Sequence, residues 1–204
     1  MKRIFTVLCL LVAAVCTFAQ SAKEIVSRME TLMSDHEDEG YVMTVEIKIP
    51  IVGSIETLCY QLGDRFRMEV AVLDKKMITW TDGATTWVYD SEKNEVEISG
   101  GPADTQSNAQ MFEDISAGYD ITIDKQTGDA WYLLCKKSKT NKDKDAPKKM
   151  DVVIAKGTFH PISLSTKEKG ITLTIRDVKF GATTELVTFN KDAYPGVKVV
   201  DKRN

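Results

Sequence analysis

The chain has 204 residues, 43% of them hydrophobic, with 27 Lys+Arg against 30 Asp+Glu for a net charge of −3. That balance disfavours nucleic acid and anionic surfaces as partners on global charge, and the length suits one domain of ordinary size. Two histidines and four cysteines leave little material for acid, base or metal chemistry.

Lys2 and Arg3 precede an apolar run from Ile4 to Val15, followed by Thr17-Phe18-Ala19-Gln20. This is the layout of a cleavable secretory signal peptide, so residues 1–20 are expected to be removed and residues 21–204 to form one domain in the periplasm. The run is shorter than the roughly 20 residues of a membrane span. Cys16 would suit lipid attachment, but Val15 stands where such sites need a small residue. Losing Lys2 and Arg3 takes Lys+Arg from 27 to 25 against 30 Asp+Glu, and the net charge from −3 to −5. Cys59 and Cys135 then remain, open both to a disulfide and to service as small buried hydrophobes.

Ser21-Ala22-Lys23-Glu24 reads as a capping box, and Ala22, Ile25, Val26, Met29, Leu32 and Met33 recur at helical spacing. One amphipathic helix is predicted, ending before the acidic run Asp35 to Glu39 and Gly40. That acidic run, with His36, lacks the spacing of a calcium loop or a zinc helix, and no metal site is expected.

From Tyr41 the period becomes two, with Tyr41, Met43, Val45, Ile47 and Ile49 on one side of a strand that Pro50 ends. Ile55 to Leu62 is the second strand. Arg65 to Val70 is the third, sending Phe66, Met68 and Val70 to one face and Arg65, Arg67 and Glu69 to the other. Lys76 to Thr81 and Thr85 to Asp90 flank the hairpin turn Asp82-Gly83, and a further hairpin leads through Asn94 to Val96. Short connections without helical crossovers force antiparallel neighbours.

Gly100-Gly101-Pro102 stops this meander, and Ala103 to Ser116 reads as a short helical insert with Met111, Phe112 and Ile115 on its apolar side. Strands resume at Tyr119 to Asp124, Trp131 to Lys137, Met150 to Ala155, Ile162 to Thr166 and Ile171 to Phe180. The lysine-rich stretch from Lys136 to Lys149 reads as a solvated hairpin tip, with a docking patch for an anionic partner as the alternative.

No Gly-x-Ser-x-Gly elbow, phosphate-binding glycine loop or Cys-x-x-Cys occurs, and the carboxylates Asp90 and Glu92 fall in solvated turns. The chain is therefore read as a non-enzyme without a cofactor. About eleven strands carry an apolar face while one helix and one insert are available to cover it, so either the face packs as an ordinary core or an incompletely filled half-barrel leaves a cavity. Met29, Met33, Met43, Met68, Met77 and Met111 suit either outcome.

Phe66-Arg67-Met68, followed by Thr81-Asp82-Gly83-Ala84-Thr85-Thr86-Trp87-Val88-Tyr89-Asp90, resembles the centre of the LolA family of periplasmic lipoprotein carriers. The order of elements agrees from signal peptide through amphipathic helix to a tail with Phe189, Pro195-Gly196-Val197 and Val199-Val200. The resemblance implies an α+β fold, mainly antiparallel: an open, curved half-barrel of about eleven strands with an N-terminal amphipathic helix and a short helical lid. It implies a monomer that shelters acyl chains of lipoproteins or lipids between inner and outer membranes, with an inner-membrane release complex and an outer-membrane receptor as partners.

Phe66, Met68, Val70, Ile78, Trp80, Trp87 and Tyr89 are then the expected lining of the apolar cavity, and Met111, Phe112 and Ile115 the lid. One departure is Leu62-Gly63-Asp64, which stands where well-understood carriers hold an Arg-Pro that helps govern release; Arg65 and Arg67 are near, but alternation points both away from Phe66 and Met68. The alternative on the same fold is an RseB-like envelope sensor whose lipid or peptide occupancy changes a partner contact.

Overall fold

The computed structural model describes residues 20–101 and 112–203. The predicted signal segment up to residue 19, and the lid residue Met111, lie outside the described residues.

The first helix, α1 (Ala22–Asp35), starts as its sequence suggests: the Ser21 hydroxyl accepts from the Glu24 amide at 3.1 Å. The reciprocal half of the capping box does not form, because the Glu24 carboxylate takes Arg28 one turn on at 2.9 Å. Ile25, Val26, Met29 and Met33 form the buried stripe, each worth about 1.5–3 kcal/mol of burial. At the other end the Met33 carbonyl accepts from both the His36 amide, at 3.2 Å, and the Tyr41 hydroxyl, at 2.6 Å, which ties the helix end to β1.

Among the described residues twelve strands follow: β1 (Tyr41–Ile49), β2 (Gly53–Leu62), β3 (Arg65–Val72), β4 (Lys75–Thr81), β5 (Thr85–Asp90), β6 (Glu95–Gly100), β7 (Tyr119–Gln126), β8 (Ala130–Lys137), β9 (Lys149–Ala155), β10 (Pro161–Glu168), β11 (Ile171–Phe180) and β12 (Lys198–Asp201). They make one open sheet in the order β12-β6-β5-β4-β3-β2-β1-β11-β10-β9-β8-β7. Two antiparallel meanders, β1 to β6 and β7 to β11, are thus zipped together by β1 against β11. The sheet curls into a half-barrel whose inner face carries α1 and the short helix α2 (Ile115–Gly118).

The β1–β11 seam contains a bulge between Val42 and Thr44 of β1, opposite Asp177, which has φ 55°. His160 binds the Val178 carbonyl there through Nε2 at 2.7 Å, so the disrupted ladder loses no acceptor.

The open half-barrel agrees with the expectation of about eleven strands. The twelfth is β12, which pairs with β6 in parallel because the chain reaches it by crossing the sheet instead of turning a hairpin. That crossing runs through α3 (Thr184–Val187), Phe189, the 3₁₀ turn Lys191–Ala193 and Tyr194 over the outer face.

Candidate functional site

Antiparallel register decides which side chains share a face, because directly paired residues point the same way. On the inner face Phe66 lies opposite Gln61 and Thr81, Met68 opposite Cys59 and Thr79, and Val70 opposite Thr57 and Met77. The row continues across β1, with Met43 beside Cys59, Val45 beside Thr57 and Ile47 beside Ile55, and from Ile47 to Leu173 in β11. By this register the inner face of β1 to β3 carries no charged side chain. Val88 extends it to β5, after which Asp90, Glu95 and Glu97 give the face a polar border.

Burial along this face falls in a gradient. Met43, Val45, Cys59 and Phe66, the last 7% exposed, belong to one cluster with the α1 stripe, Phe112 and Ile115. Met68, Ile47 and Leu173 pack at its margin, Val70, Ile55 and Val88 are half-buried, and Met77 is 50% exposed. The inner face of the half-barrel thus carries an apolar strip along β1 to β5, a shallow trough running from buried Phe66 to the end of β3 and the start of β4.

Of the predicted lining set Phe66, Met68 and Val70 lie on this face and the other four do not. Ile78 and Trp80 pair with Glu69 and Arg67, and Trp87 and Tyr89 pair with Trp80 and Ile78, so all four stand on the outer face. There the C-terminal crossing covers them. Trp80 lies 5.3 Å from Phe189 and 5.8 Å from Tyr194, Trp87 lies 6.1 Å from Phe189, and Tyr89 lies 4.5 Å from Tyr194. Alternation within each strand was readable; which parity of β4 and β5 continues that of Phe66 depends on the register across two turns.

Arg65 and Arg67 do point away from Phe66, and the structure gives them a task. Arg67 donates to the Leu186 carbonyl at 3.2 Å and pairs with Glu69 at 2.5 Å; Arg65 donates to the Thr188 hydroxyl at 2.8 Å. Lys76 joins Glu69 at 2.6 Å. These contacts tie the C-terminal crossing to the outer face, and burial there pushes the Tyr194 phenol above its ordinary range.

Of the predicted lid, Phe112 and Ile115 are fully buried against α1, and the Ser116 amide donates to Glu30 at 2.7 Å. Cys59 and Cys135 are both buried thiols on the inner face, and burial pushes Cys135 up to about 12.

His36 and His160 each pack on Phe180, stacked at 4.2 Å and edge-on at 5.3 Å. Among the described residues no group of three His, Cys, Asp or Glu side chains is placed to hold a metal ion.

No family model matches the chain, and no curated protein matches it. Among solved structures it is similar to an uncharacterized conserved protein from Thermus thermophilus, with TM-score 0.49 and 21% identity over 90% of this chain and 100% of that one. It is similar to the Mycobacterium tuberculosis lipoprotein LppX, with TM-score 0.46 and 10% identity over 74% of this chain and 92% of that one. A LolA superfamily protein from Nitrosomonas europaea aligns with TM-score 0.36 and 9% identity over 85% of this chain and 100% of that one. All three TM-scores lie below one half, so the functional reading rests on the chain's own geometry.

Proposed function

We propose that this chain is a non-enzymatic carrier that takes acyl chains of a lipid or lipidated protein into the inner trough and moves them between the two membranes of a cell envelope. The observation that supports it is the run of Ile47, Ile55, Met68, Val70, Val88 and Leu173 left half-buried beyond the cover of α1, without a charged neighbour on β1 to β3. Each methylene buried there contributes about 0.8 kcal/mol, so a partly enclosed chain binds usefully and still leaves.

In this reading Phe66 is the floor and Met68 and Val70 touch the ligand. Ile78, Trp80, Trp87 and Tyr89 act from behind, fixing the curvature of the sheet through the C-terminal crossing. Phe112, Ile115 and Met111 are the lid, and loading requires the contact of Phe112 and Ile115 with α1 to loosen. The acylated cargo, an inner-membrane release complex and an outer-membrane receptor are the partners that the sequence resemblance implies, with the carrier itself a periplasmic monomer.

The test is a titration of the mature protein, residues 21–204 prepared without detergent, with a fluorescent fatty acid, alongside mass spectrometry of its solvent extract. Val70→Glu should weaken binding at least about tenfold while leaving circular dichroism unchanged and lowering the melting temperature by only a few degrees, because a carboxylate in the trough must be desolvated by the ligand. An empty extract with no fatty-acid binding would overturn the carrier reading.

A further inference from the structure

Five connections lie at the end of the sheet where β1, β3, β5, β8 and β10 finish, and the tightest are the tips from β1 to β2 (the first), from β3 to β4 (the second) and from β10 to β11 (the third). Two of them hold large aliphatic side chains straight out into solvent. Ile51 has φ 73° and is fully exposed; Leu73 has φ 56° and is 96% exposed. Val52 and Val72 beside them are also exposed, and Ile171 begins the strand after the third tip. The first and third tips touch, since a Cβ on Gly170 would lie 3.4 Å from Pro50 Cγ.

Left-handed backbone is unfavourable for leucine and worse for a β-branched residue, and Gly or Asn is what such a turn ordinarily uses. Here neither side chain gains any packing in the folded chain in return. Their use must lie with something outside it.

We propose that this rim is a membrane-docking edge, with Ile51, Val52 and Leu73 inserting among the acyl chains of an anionic lipid bilayer. The first and second tips offer small, separated points of apolar surface, whereas a stable protein interface needs on the order of 800 Å² of continuous surface from each partner. A fluid phase closes around such points; a folded partner would leave gaps between them.

Charge supports the choice. Lys48, Lys167 and Lys169 are exposed beside the first and third tips and form no ion pair among the described residues, while Lys75 at the second is held by Glu92 at 2.6 Å. They outnumber Asp74 and Glu168 at these tips; in the neighbouring connections Glu92 offsets Lys93, while Lys139, Lys142, Lys144 and Lys148 outnumber Asp143 and Asp145, so a chain of net negative charge presents a locally basic edge to the lipid headgroups. The trough opens at the same rim, where Val70, Val72 and Met77 lead inward from the tips. Only the passage of an acyl chain along that route rests on the carrier reading; the docking itself does not.

The experiment is sedimentation of the mature protein with vesicles of phosphatidylcholine alone and of phosphatidylcholine mixed with phosphatidylglycerol. The protein should pellet with the mixed vesicles. The double variant Ile51→Asn, Leu73→Asn relieves the backbone, so it should melt no lower than the parent, yet its vesicle binding should fall at least about tenfold. Lys48→Gln, Lys167→Gln and Lys169→Gln should each cost about fivefold on anionic vesicles and nothing on neutral ones.

A parent that stays in the supernatant, or an Asn double variant that pellets equally, overturns the proposal. So does sedimentation velocity showing a parent dimer that the double variant loses while vesicles go unbound, which would assign the tips to a second copy of the chain. Fatty-acid titration of the same double variant separates the two readings: retained fatty-acid binding with lost vesicle binding places docking at the tips, whereas vesicle binding without fatty-acid binding in the parent defeats the carrier and leaves the docking edge standing.

Discussion

The guanidinium carbon of Arg67 lies 5.5 Å from the ring centroid of Trp80, on the opposite side of the sheet from its neighbour Phe66. The same group lies 5.2 Å from the Tyr60 ring, so Arg67 sits against two aromatic rings while its Nη atoms bind Glu69 and the Leu186 carbonyl. The Arg67 and Glu69 side chains are 17% and 15% exposed. Arg67→Ala should therefore destabilise the protein by about 1–3 kcal/mol in urea unfolding, less than a fully buried broken pair because Lys76 remains on Glu69. It should also make residues 182–197 more sensitive to protease. Loss of less than about half a kcal/mol would mean that the aromatic contacts alone hold the crossing.

Phe66 and Val70 share a face and a strand but not an environment. Phe66→Ala opens a cavity in the cluster beneath α1 and should lower stability by about 3–4 kcal/mol. Val70→Ala removes a half-buried side chain and should lower it by about 1 kcal/mol or less. Matching losses in thermal or urea unfolding would show the trough to be as tightly packed as the core.

Gly40 joins α1's C-terminal 3₁₀ turn to β1 at φ 70°, and a Cβ there would collide with the Gln61 carbonyl oxygen and press on Ala182 and Leu62. Gly40→Ala combines left-handed strain with that collision and should cost at least about 2 kcal/mol, read as a lower melting temperature. A neutral result would show that β2 can retreat freely from the turn.

Alkali should unfold this protein earlier than its exposed groups would. Burial pushes the Cys135 thiol from 9.0 up to about 12, and burial followed by the carboxylates of Glu37 and Glu113 pushes the Tyr41 phenol from 10.0 up to about 12. Both folded-state values are raised, so their stabilising contribution is complete below pH 9.0 and is lost as the pH climbs toward about 12. Melting temperature measured across that window should fall, and Cys135→Ala with Tyr41→Phe should flatten the decline. An equally steep decline in the double variant would place the alkaline sensitivity elsewhere.

Much of the fold was legible residue by residue. Period-two alternation located β1 and the five strands after it, and the turn at Asp82-Gly83 forms with the Asp82 carboxylate accepting from the amides of Ala84 and Thr85 at 3.0 and 2.7 Å. Those two bonds, that from Thr85 first, hold its carboxyl below the usual carboxylate range. The helical stripe Ile25, Val26, Met29, Met33 was equally plain, and so was the outward aim of Arg65 and Arg67. The candidate site was legible only in part: Phe66, Met68 and Val70 were placed together, while Ile78, Trp80, Trp87 and Tyr89 were read onto their face and stand on the other.

The division has a physical cause. Period, capping and turn preference are local properties, settled within a few residues of chain, and the amino-acid sequence alone therefore determined where strands and helix begin and end. A strand rich in apolar groups on both sides, such as β4 with Met77 and Thr79 against Ile78 and Trp80, does not announce which side faces inward. That was decided by register through successive turns and by the arrival of distant segments, α1 inside and Phe189 and Tyr194 outside, each burying whichever parity it met. The parallel pairing of β12 with β6 belongs to the same class, because Lys198 meets Glu95 from 103 residues away and only the tertiary path brings the two edges together.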